Sequence, residues 1–79
     1  MNEKQREWTQ KHCRELRDFK NLNPNISDDM YRDVTGYVNV IISLARGNKE
    51  VQSAMLDVLE EFQRKYERNK KGEYDGKRL

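Results

Sequence analysis

Long apolar runs, proline, cysteine and histidine are all scarce in this sequence of 79 residues, which holds one proline, one cysteine, one histidine and one tryptophan. Each scarcity excludes something. No stretch approaches the ~20 apolar residues that span a bilayer, and the start, Met1 to Glu7, lacks the apolar core of a secretory signal. The sequence therefore points to neither membrane insertion nor export. Cys13 has no second cysteine to pair with, and a small chain without disulfide staples suits a reducing compartment, which we read as the cytoplasm.

His12 and Cys13 are neighbours in sequence, so on a helix their side chains diverge by about 100°. That divergence is wrong for a nucleophile and its base. Zinc would want about four ligands, with partners at i+3 or i+4 that are missing here. The glycines, at 36, 47, 72 and 76, are scattered rather than gathered into a phosphate-cradling loop. Catalysis, a metal and a bound cofactor are all disfavoured on these grounds.

A dominant charge is also lacking: 16 Lys and Arg stand against 14 Asp and Glu, a net +2, far from the excess of a dedicated nucleic-acid binder. With 34% hydrophobic and 38% charged residues, and a mean hydropathy of −1.22, little is left for a core. At this length folding buries only roughly 60% of the surface of the unfolded chain, and one domain is the limit.

What the sequence does contain is helical punctuation. Ser27 is placed as an N-cap, Asp28 and Asp29 favour the positive end of the helix dipole, and Ile26 and Tyr31 fall at the staple positions. Asn21 to Asn25, around Pro24, reads as a loop. Gly47 has the character of a left-handed C-cap, and Asn48 can cap the next helix at once. The spacing predicts helices near 3 to 20, 28 to 46 and 49 to 68, a single domain over 1–69, and a flexible charged tail over 70–79.

Val34 to Ile42 is rich in β-branched residues and could pass for a strand, but periodicity decides for a helix. Met30, Tyr31, Val34, Tyr37, Val38, Val40, Ile41, Ile42, Leu44 and Ala45 share one arc about 200° wide, interrupted only by Asp33. So wide an arc makes helix 2 the expected centre of the fold. Helix 3 offers the stripe Val51, Ala54, Met55, Val58, Leu59, Phe62 and Tyr66, antiparallel to helix 2 across the short turn. Helix 1 is thinner, with Trp8, His12, Leu16 and Phe19 toward the core and Cys13 half exposed. The fold class is all-α, a small three-helix bundle; a homodimer sharing helix 2 would satisfy the same pattern. Gly36 lies opposite the apolar arc and reads as a solvent-side position tolerated by a strongly packed helix, the alternative being close approach of a second backbone such as a dimer mate.

Glu7 with Lys11, Lys11 with Glu15, Arg14 with Asp18, Glu60 with Arg64 and Glu61 with Lys65 form i,i+4 pairs of the kind that decorate solvated helices. Against that background Arg6, Arg17 and Lys20 make a basic ridge on helix 1 with Arg14 beside it, while Glu3, Glu7, Glu15 and Asp18 take the neighbouring side. Trp8 and the off-stripe Leu56 are further candidate anchors. Arg6, Trp8, Arg14, Arg17, Lys20 and Leu56 are thus the expected partner-binding residues.

Their expected partner is another protein with an acidic surface. The leading expectation is a non-enzymatic helical module that modulates a larger intracellular protein. Host-directed phage proteins and small bacterial regulators act in this manner, an analogy resting on size and charge alone. The alternative is nucleic-acid binding through the ridge and the basic tail. A helix-turn-helix made from helices 2 and 3 is disfavoured, since Asp57, Glu60 and Glu61 would face phosphates.

Overall fold

Each helix begins at a side chain that closes its first turn. Asn2 Oδ1 accepts from the Gln5 amide at 2.8 Å, Ser27 Oγ from the Met30 amide at 3.1 Å, and Asn48 Oδ1 from the Glu50 and Val51 amides at 3.0 and 3.2 Å. Such caps are worth about 1 kcal/mol each. The computed structural model describes residues 2–78, with side chains described as far as residue 70. Its three helices are α1 (Glu3–Leu22), α2 (Asp28–Leu44) and α3 (Lys49–Arg78).

α2 stops short of residue 46 because the backbone turns left-handed at Arg46 (φ 49°) and Gly47 (φ 85°), which reverses the chain into α3. α3 continues past the expected end near 68. Of the flexible tail expected over 70–79, everything beyond Lys70 lies outside the residues with described side chains. No helix among the described residues is long and apolar enough to cross a membrane.

The bundle runs up, down, up. Gln5 meets Asn48, Cys13 meets Ala54 and Arg17 meets Glu61, so α1 and α3 are parallel. Tyr31 stacks on Tyr66 at 4.6 Å and the Tyr66 hydroxyl donates to Asp28, so α2 is antiparallel to α3 as expected. The common neighbour, however, is α3. It packs against both other helices, whereas α1 and α2 touch only weakly. Its residues Val51, Met55, Val58 and Phe62 are four of the five largest fully buried side chains, with Val38 of α2 as the fifth.

Two expectations shift as a consequence. α1 turns toward α3, so its buried residues are Thr9, Cys13 and Leu16, while Phe19 is exposed. Cys13, expected half exposed, is buried with its Sγ 4.0 Å from the Ala54 carbonyl. The wide arc of α2 is fully covered only where it meets α3, with His12 of α1 reaching just the edge of the arc at Tyr37. Val34, Val38 and Ile41 are buried, but Tyr37, Val40 and Leu44 face outward.

A polar row on α3 holds the α1 end and the linker in place. Glu61 takes Arg17 and Lys20; one turn on, the Lys65 ammonium donates to the backbone carbonyls of Lys20 and Asn23; one turn further, Asn69 Oδ1 accepts from the Ile26 amide at 2.9 Å. Lys65 thus adds a second donor to the Lys20 carbonyl, which the Asn23 amide reaches only at 3.4 Å, and serves the Asn23 carbonyl as well, at a helix end where the dipole also favours a cation. Glu60 and Arg64 do form their intrahelical pair at 2.6 Å, whereas Glu61 and Lys65 both turn to α1 instead.

Candidate functional site

Five of the six candidate residues fall in three places, and the sixth, Lys20, is bonded to Glu61 near the end of α1. Arg6, Arg14 and Arg17 border a groove of about 620 Å³ between α1 and α3, whose floor is Thr9, Cys13 and Ala54. Trp8 lies on the opposite side of α1, toward α2, where its ring meets His12 edge-on at 4.8 Å. It shares a shallow hollow there with Leu44 and Lys4. Leu56 is exposed on α3, on the side that leads away from α1.

Within the basic ridge the arginines differ. Arg17 donates from Nε and Nη2 to Glu61 Oε2 at 3.0 and 2.8 Å, and Lys20 Nζ donates to Glu61 Oε1 at 2.8 Å. One carboxylate thus ties two α1 cations to α3. The Arg17 hydrogen bond, reinforced by Lys20, holds the Glu61 carboxyl below the usual carboxylate range although partial burial opposes this. The same Glu61 contact pushes the Arg17 guanidinium still further toward its charged form. Arg6 and Arg14 are exposed and make no ion pair among the described residues. Asp18, also on the groove, is the acid that a negatively charged ligand would have to approach.

Cys13 on the floor is chemically quiet. Burial pushes its thiol up, and Glu61 and Asp57 act in the same direction against the lowering effect of Arg17. His12 belongs to the other side of α1, where its Nδ1 pairs with the Tyr37 hydroxyl at 2.5 Å, 3.8 Å from Glu15. The adjacent His and Cys therefore face different helices, as their spacing requires. Among the described residues no three His, Cys, Asp or Glu side chains gather as they would around a metal ion.

The α3 row and the exposed α2 residues were missed by sequence reasoning. The spacing of the first was visible, since Glu61, Lys65 and Asn69 recur every four residues, but Glu60, Arg64 and Arg68 do so equally and face solvent, so spacing alone did not single the row out. Compared with known protein families, curated proteins and solved structures, the chain matches none.

Proposed function

We propose that this chain is a non-enzymatic protein-binding module whose contact surface is the α1/α3 groove and whose partner presents an acidic segment. The observation that carries this reading is the division of labour in the ridge: Arg17 and Lys20 are engaged by Glu61, while Arg6 and Arg14 flank the groove with no ion pair among the described residues. The floor between them is neutral and partly apolar. A carboxylate-bearing side chain laid along it would find a guanidinium at either end, and guanidinium matches carboxylate in bidentate geometry. Seated in the cytoplasm, the module would modulate the larger protein that carries the acidic segment, the mode of action of small bacterial regulators and host-directed phage proteins.

The test is capture of partners from bacterial lysate by the full chain, with and without nuclease. Protein bands that survive nuclease are expected. The doubly reversed variant Arg6→Glu, Arg14→Glu should lose those bands and slow association at least tenfold, since charges at the edge of a contact act mainly on encounter. Its melting temperature should stay near that of the parent, because both side chains are exposed and neither forms an ion pair among the described residues. Undiminished capture by the folded variant would eliminate the groove. Bands lost with the nucleic acid would instead favour the nucleic-acid alternative.

A further inference from the structure

The exposed apolar residues of α2 form one continuous row. Tyr37, Val40 and Leu44 are 37, 56 and 64% exposed, and their spacing of three and four residues puts them on the same side of the helix. Gly36 lies outside the apolar arc but borders this row one turn before Val40, and a Cβ built on it would meet nothing within 4 Å. Toward the N-terminus the row continues through Asp33 and Asp29, both exposed. Toward the C-terminus it ends beside Arg46, which shares a shallow hollow with Val40 and Leu44. The row is therefore acidic at one end, apolar in the middle and basic at the other.

We propose that this face is a dimerisation surface, on which α2 pairs antiparallel with α2 of a second copy about a two-fold axis at Val40. A two-fold contact must be self-complementary. Gly36 and Leu44 lie equally far on either side of Val40, so each Leu44 meets the other copy's Gly36, where the absence of a side chain leaves room. Val40 meets its own symmetry mate. Asp33 of each copy comes to the Arg46 end of the other, so unlike charges face each other twice, and the antiparallel helix dipoles add in the same sense. A parallel pairing would set acid against acid and base against base. A nucleic acid is a poor occupant because Asp29 and Asp33 line its path.

One helix-to-helix contact buries less than the ~1,600 Å² of a standard interface, so a dissociation constant in the micromolar range is expected. The surface lies on α2, away from the α1/α3 groove, and the inference stands independently of the proposed function.

Sedimentation equilibrium of the full chain from micromolar to millimolar concentration tests it, with a concentration-dependent dimer expected. Gly36→Gln should leave the single copy at least as stable, since glycine inside a helix costs about 1 kcal/mol and the new side chain enters open space. The same variant should raise the dimer dissociation constant about tenfold or more, the clash falling on the other copy's Leu44. Asp33→Arg alone and Arg46→Asp alone should each weaken pairing, and the two together should restore it. A parent chain that stays monomeric throughout overturns the proposal. So does a dimer that tolerates Gly36→Gln, and so does a charge exchange that fails to restore association.

Discussion

Val58→Asp is expected to leave the chain unfolded at room temperature, with its helical circular dichroism signal lost. Val58 is fully buried on α3, between the residues that face α1 and those that face α2. A carboxylate there would be buried in the apolar core cluster, and an unpaired buried charge costs about 3–5 kcal/mol. A domain of this size has a total stability of only about 5 kcal/mol or somewhat more. The conservative Val58→Ala should cost about 2 kcal/mol and remain folded, separating the charge from the lost volume. Persistence of parental helicity and melting temperature in Val58→Asp would refute the core arrangement.

The same logic gives opposite outcomes at adjacent positions of α2. Ile41 is buried, so Ile41→Asp should unfold the chain as Val58→Asp does. Val40→Asp, measured at low micromolar concentration, should change stability by no more than about 0.5 kcal/mol, as a surface substitution does. This contrast reads the rotation of α2 directly.

That rotation was only partly legible in the sequence. Helix positions followed from local chemistry: Ser27 and Asn48 cap where their side chains promised, and Gly47 takes the left-handed turn. The α3 stripe was equally clear, because Val51, Met55, Val58 and Phe62 recur with one period and their surroundings are polar. What periodicity cannot give is how many neighbours cover a wide arc. Met30 to Ala45 reads as an arc broad enough for two partners, which made α2 the expected centre. In the fold α3 occupies that place, and the outer part of the α2 arc is left bare. Likewise, helix 1 has weak apolar bias, so its orientation is set by Glu61 and Lys65 on another helix, some forty residues away in sequence. A pattern confined to helix 1 could not show that Arg17 and Lys20 are engaged while Arg6 and Arg14 are not. The ridge was visible in the sequence, and its division was a tertiary property.

Glu61→Gln should destabilise the fold by about 1–2 kcal/mol at neutral pH, the low end for a hydrogen-bonded charge cluster because solvent screens these partly exposed groups. The carboxylate side chain is 32% exposed and bonds both Arg17 and Lys20, so the substitution removes the anion from two cations while keeping the shape. Gln can still accept one hydrogen bond from Arg17, so the part that disappears is chiefly the charge. Its pH dependence has a definite sign. The folded-state pKa of Glu61 lies below its unfolded value, so the folded protein binds this proton less readily than the unfolded chain does. The stabilisation is therefore fully present above the ordinary glutamate value of about 4.3 and is lost as pH falls through the lower folded value. Denaturant titrations of parent and variant should differ by a constant amount from pH 7 down to about pH 5, begin to converge as pH falls past the ordinary glutamate value of about 4.3, and meet only below the lower folded value. Other carboxylates, Asp28 among them, titrate in both proteins and cancel in the difference. Added salt should shrink the neutral-pH difference, since both cations are within reach of solvent ions. A difference that stays constant to pH 2 would mean that Glu61 contributes shape alone, and that α1 is held to α3 by its apolar contacts and by Lys65.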